Sequence, residues 1–186
     1  MEYIVDSCPI ILAKRSRSGC ARVARELCEK SYNSSRDEWY YGLKFHAVVA
    51  RRPGLLPLPL ALMASDAAQH DLPAARHILE NHLPLRHGRL YADKAYMSAD
   101  WAESLEKGRA LTLLTPRKRA NGNILISGDT FSTFVSSIRQ LIECFFNWLN
   151  RLTYIQSASA VRSLSGLLLH IFARIAAALA ALLFNS

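Results

Sequence analysis

Two aspartates stand in matching settings. Asp6 follows the apolar run "YIV", and Asp93 follows "LYA". Each reads as a carboxylate at the end of a strand, just before a turn. A charge at the tip of an apolar strand is costly unless something pairs with it. If the two strands are neighbours, both carboxylates emerge at one edge of a sheet, where like charges repel unless a cation lies between them. Hard oxygen ligands with no His or Cys beside them suit Mg2+ or Mn2+. Glu143 is the candidate third ligand, because it is the only acid in the helical stretch from Ser132 to Leu152. Arg139, one turn earlier, can orient that carboxylate or bind a phosphate. Three carboxylates holding two hard cations would suit phosphoryl transfer, one ion at the attacking oxygen and one at the leaving oxygen. The same residues also permit a plainer account. A strand-end Asp is often a turn residue, and Glu143 can be a simple i,i+4 partner of Arg139.

The elements that must position these groups are legible from pattern. Tyr3 to Asp6 reads as a short strand. Residues 14–40 form a polar connector, basic at Lys14, Arg15, Arg17, Arg22 and Arg25. It reads as a solvated loop or as a surface for the DNA backbone. "YYGLKFHAVVA" is a strand in which Leu43, Phe45, Ala47 and Val49 alternate with Lys44, His46 and Val48. Pro53 and Gly54 turn the chain, and "LLPLPLALMA" returns, its first half irregular or at an edge because of Pro57 and Pro59. Asp71 is placed to cap a helix over "LPAARHILENHL", which outweighs pairing it with His70 as an acid/base couple. "GRLYADKAY" is a strand, "ADWAESLEKG" a helix closed by Gly108, and "ALTLLTP" a strand stopped by Pro116. From about Thr130 to Leu152, Ile138, Leu141, Ile142, Phe145, Leu149 and Leu152 make a core face. Arg139, Glu143, Asn147 and Asn150 form the polar stripe. An apolar helix covers residues 159–184. A hairpin of antiparallel strands followed by strand–helix alternation predicts a mixed α/β sheet.

With 186 residues the chain fits one domain. A formal charge of +8 and a pI near 9.6 favour a polyanionic partner, nucleic acid before an anionic membrane. Cys8, Cys20, Cys28 and Cys144 make no CxxC pair, and the N-terminus has no signal-peptide pattern. Reduced thiols in a cytoplasmic protein are expected, with Cys144 in the core. His77, His82 and His87 are spaced by five and so share no helix face, which argues against a His-based metal site. The C-terminal run has the length of a membrane span. However, His170 and Arg174 fall in its middle, four apart, which predicts a mostly buried amphipathic helix and no membrane. Arg117, Lys118 and Arg119 form a basic cluster ahead of the Glu143 helix, expected to contact DNA.

Four segments, in order, resemble the motifs of bacterial insertion-sequence transposases of the DDE type, and in particular the insertion sequence 982 group. "VDSCPI" resembles the first-acid motif, "YYGLKFHAVV" the second strand, "LYADKAY" the second-acid motif and "IRQLIECFFNWLNRL" the third-acid helix. The resemblance implies a ribonuclease-H-like fold, with antiparallel first strands, then parallel ones, flanked by helices. It implies an enzyme that cuts DNA at transposon ends and transfers the strands. Asp6, Asp93 and Glu143 would hold Mg2+ or Mn2+, and no small-molecule cofactor is implied. Lys94 and Arg139 would contact or orient DNA phosphates, with Arg151 beside Asn150 where related proteins often carry a Lys. The partner would be DNA in the nucleoid, bound as a homodimer. Such transposases usually carry a DNA-recognition region ahead of the first acid. The expectation is therefore a single catalytic domain over residues 1–186, from a truncated copy. The competing readings are an inactive basic DNA-binding remnant and a ribonuclease-H-like nuclease without strand transfer.

Overall fold

The computed structural model describes residues 1–33, 36–117 and 129–184, with the backbone alone at Arg15. Among the described residues six strands form one sheet: β1 (Glu2–Lys14), β2 (Glu29–Asn33), β3 (Glu38–Ala50), β4 (Leu58–Asp66), β5 (Gly88–Tyr91) and β6 (Leu111–Leu114). Their order is β2-β3-β1-β5-β6, with β4 also paired to β3. The helices are α1 (Asp71–Asn81), α2 (Ala99–Arg109), α3 (Thr130–Thr153) and α4 (Leu164–Phe184). This is the mixed α/β architecture expected from the pattern of elements, consistent with the ribonuclease-H-like fold that the resemblance implied. The chain divides into two compact units.

The first unit comprises Met1–Asp6, His46–Met63 and His70–Phe145. Here β1 runs parallel to β5 in the register Glu2↔Arg89, Tyr3↔Leu90, Ile4↔Tyr91, and β5 runs parallel to β6. Parallel neighbours need a crossover, and α2 supplies the one between β5 and β6. Tyr3, Val5, Val48, Ile78, Leu79, Leu90, Tyr96, Trp101, Leu105 and Leu111 make its core. Each large apolar side chain buried there contributes about 1.5–3 kcal/mol. Ser98 caps α2, its hydroxyl accepting the Trp101 N–H. The helix closes at Ala110 in the left-handed conformation, so Gly108 lies inside it rather than ending it. Asp71 likewise is the first helical residue of α1, with His70 at the capping position.

The second unit comprises Ser7–Phe45, Ala64–Gln69 and Phe146–Ser186. The connector after β1 is not all loop: it holds a 3-10 turn (Arg15–Gly19) and then β2, antiparallel to β3. β1 itself does not end at Asp6 but continues to Lys14. Pro9 is tolerated in it for a physical reason. Backbone N–H groups two apart point to the same side of a strand. The register with β5 runs from Glu2 to Ile4, and within the second unit Ile11 donates its N–H to the Gln156 carbonyl at 2.8 Å. Pro9 falls between the two, so its missing N–H costs no ladder bond. β3 is buried on both faces rather than alternating, His46 included. Gly42 is required in it: a Cβ would stand 2.0 Å from the Ile10 carbonyl oxygen.

Two further expectations are corrected. Cys144 is exposed on α3, while Cys8 and Cys28 are buried; burial pushes the Cys28 thiol up to about 11. α4 starts at Leu164, later than residue 159, and only a minority of its residues are buried. It is long and apolar enough to cross a membrane by length and composition. Its two central polar side chains nevertheless bond to carbonyls within the unit. His170 Nε2 lies 2.9 Å from the Ile155 carbonyl, and Arg174 Nε donates to the Thr153 carbonyl at 2.8 Å.

Candidate active site

Continuing the β1–β5 register by two residues sets Asp6 alongside Asp93. Asp6 sits within a strand. Asp93 sits just past β5, where Oδ1 accepts the Lys94 N–H at 2.6 Å and caps a 3-10 turn over Lys94–Tyr96. The third participant comes from α3. Val135, Ile138, Ile142 and Phe145 bury one face of this helix. The Phe134 ring meets the edge of Tyr91, centroids 6.2 Å apart. That packing brings Arg139 to the two aspartates. Its Nη2 donates to Asp6 Oδ2 at 2.9 Å, and its Nη1 lies 3.5 Å from Asp93 Oδ1.

The guanidinium therefore occupies the place between two like charges where a cation was expected. Arg139 and Asp6 are nearly enclosed, at 14% and 16% exposure, while Asp93 is 45% exposed. Burial alone would pull the Arg139 pKa down. The charges of Asp6 and Asp93, the hydrogen bond to Asp6 and the charge of Glu143 outweigh burial and hold it above its ordinary value. Glu143 is exposed, one turn further along α3. The three acids of the sequence reading thus converge electrostatically on one arginine.

Glu2 lies four residues before Asp6 on β1, at the other end of the β1–β5 pairing, and was not singled out by spacing or motif. Tyr91 donates its hydroxyl to Glu2 Oε1 at 2.8 Å, and Arg51 binds Oε2. The Tyr91 bond and, against the pull of burial, the Arg51 and Arg89 charges hold the Glu2 carboxyl below the usual range. Its signal in sequence was an acid opening an apolar strand four residues ahead of another.

Residues 4–180 match the family model described as Transposase DDE domain. The chain belongs to that family. No curated protein and no solved structure matches it. The transposase domain is accordingly a nucleic-acid phosphoryl-transfer enzyme whose partner is DNA.

The remaining expected residues of the transposase domain fall as follows. Lys94 is exposed beside Asp93. Arg117 donates its backbone N–H to the Ser132 hydroxyl, and its guanidinium lies 5.6 Å from the centre of the Phe131 ring. Lys118 and Arg119 lie outside the described residues. Arg151 is exposed on the last turn of α3, in the second unit. Asn150 has a structural task in place of a basic one: its Oδ1 accepts the Gln156 N–H at 3.1 Å, tying down the turn after α3. The strand motif also resolves into ties. Tyr41 donates to the Val23 carbonyl at 3.0 Å, and Lys44 to the Gln69 carbonyl at 2.8 Å. His46 Nδ1 lies 4.0 Å from Asp71 Oδ1, so Asp71 faces His46.

Proposed function

We propose that Asp6, Asp93 and Glu143 are the reaction site of this transposase domain, at which phosphodiester bonds at transposon ends are cut and the strands joined. The observation that carries the reading is the shared Arg139. It brings into one corner two carboxylates 87 residues apart in sequence, with Glu143 on the next turn of its helix. Among the described residues no three His, Cys, Asp or Glu side chains are gathered closely enough to hold a metal ion as they stand. The donor types nevertheless fit, being all carboxylate oxygens with no nitrogen or sulfur ligand among them. Asp6, Asp93 and Glu143 would hold Mg2+ or Mn2+, which when bound activates the attacking oxygen and stabilises the leaving one. Arg139 keeps the two aspartates from repelling, and Asp6, enclosed by β1, sets their spacing. Lys94, Arg117 and Arg151, with the basic surface as a whole, would hold the DNA backbone. The ordered motif matches favour the insertion sequence 982 group within the family.

The test is strand nicking and joining on a duplex carrying a transposon end. Mg2+-dependent nicking and joining that are lost in Asp93→Asn, Asp6→Asn and Glu143→Gln are expected. Nicking without joining would instead indicate a ribonuclease-H-like nuclease. A second reading is favoured by one specific observation: a protein cation already neutralises Asp6 and Asp93, as it would if the acids were structural in an inactive DNA-binding remnant. Salt-sensitive DNA binding with no metal-dependent chemistry would select that reading.

A further inference from the structure

The end of α1 carries a pair of imidazoles that the reading above does not use. In a regular helix, residues five apart point to different sides, but the last turn of α1 is wide. The Ile78 carbonyl accepts both the His82 N–H at 3.0 Å and the Leu83 N–H at 2.9 Å, the second from five residues on. His82 is itself the C-cap, its backbone already out of the helical conformation with φ at −124°. Its ring meets that of His77, both exposed, with Nε2 to Nε2 at 3.3 Å and ring centroids 5.1 Å apart.

We propose that His77 and His82 form a two-imidazole site for a tetrahedral transition-metal ion, Zn2+ by preference. Two imidazole nitrogens bound tetrahedrally at Zn–N lengths stand about 3.3 Å apart, with the rings about 5.2 Å apart when each lies straight behind its nitrogen. The observed pair has both spacings. A right-angled octahedral pair would need its nitrogens closer, at about 3.0 Å. Without metal, one imidazole donates to the other. Asn81 Nδ2 lies 3.1 Å from His77 Nδ1 and donates to the His77 carbonyl. This makes Nδ1 the acceptor and puts the proton on His77 Nε2, facing His82. On metal binding that proton moves to Nδ1, and the Asn81 amide turns its oxygen to receive it, orienting the ligand ring. Water completes the coordination. The site is separate in chemistry from the carboxylates, imidazole taking Zn2+ where carboxylate takes Mg2+.

The experiment is calorimetric titration of ZnCl2 into the chelator-stripped full chain, with millimolar Mg2+ present to saturate carboxylate sites. One Zn2+ per chain is expected. His77→Ala and His82→Ala should each weaken it by more than about tenfold, while His70→Ala leaves it unchanged. Because both imidazoles are exposed, the variants keep the wild-type circular dichroism. X-ray absorption at the zinc edge should show nitrogen and oxygen neighbours. Three results would overturn the proposal: no Zn2+ uptake tighter than about 0.1 mM, uptake unaffected by either substitution, or sulfur coordination, which would assign the ion to the exposed Cys20 or Cys144.

Discussion

Arg139→Met keeps most of the aliphatic stem and removes the charge that Asp6 and Asp93 share. The cost can be worked from the geometry. A hydrogen bond to a charged group contributes about 1.5–3 kcal/mol, and stranding one partner of a buried ion pair costs about 3–5 kcal/mol. Asp6, 16% exposed, lies near the lower end of the second range. Asp93, 45% exposed, is rehydrated by water and adds about 0.5 kcal/mol. The expected loss is about 3.5 kcal/mol, or about 7–14 °C in Tm for a chain of this size. Urea unfolding of the wild type, Arg139→Met, Asp6→Asn and the double variant closes a thermodynamic cycle. The coupling between the two sites should be about 2 kcal/mol. Millimolar Mg2+ should stabilise Arg139→Met more than the wild type, because the carboxylates have lost their resident counter-charge. A coupling below about 0.5 kcal/mol would refute the shared-cation argument, since the contact would then be energetically idle.

Three other outcomes are expected. Gly42→Ala drives a methyl group to within 2.0 Å of the Ile10 carbonyl oxygen, so the backbone there must part. A loss of at least about 2 kcal/mol in urea unfolding is expected. Ala110→Gly should do the opposite and raise the urea midpoint by about 0.5–1 kcal/mol of stability, because Ala110 ends α2 with φ at 51°. Burial, helped by the Arg174 charge and opposed by the Ile155 bond, holds His170 below its ordinary 6.5. The folded state thus disfavours the proton that the unfolded chain accepts, and stability falls as pH drops below that value, levelling off below the folded pKa. His170→Gln should flatten this slope between pH 7.5 and 5, read as urea midpoint against pH; an unchanged slope would remove His170 as its source.

The site was legible where pattern and chemistry agreed. Asp6 and Asp93 each follow an apolar triplet, and parallel pairing of their strands sets them side by side. α3 announced itself by periodicity, and Arg139 with it. What pattern could not carry was set by partners distant in the chain. β2 is "EKSYN", without alternation, and becomes a strand by pairing with β3. The length of β1 was hidden by Pro9, whose missing N–H matters only if a partner faces it there. The meeting of His77 and His82 depends on His82 leaving the helical conformation at the end of α1, which spacing alone does not encode. The cation between the aspartates was expected to come from solution, and the chain provides it from α3 instead.

The two aspartates differ in what holds them. Asp6 is embedded in a long strand whose backbone is laced to its neighbours, so its Cα is an anchored point. Asp93 hangs on a three-residue turn that it caps itself. Any ligand that enters this corner therefore meets one immobile jaw and one that can adjust. Accommodation falls to Asp93 and to the long side chain of Arg139, while Asp6 keeps the reference position.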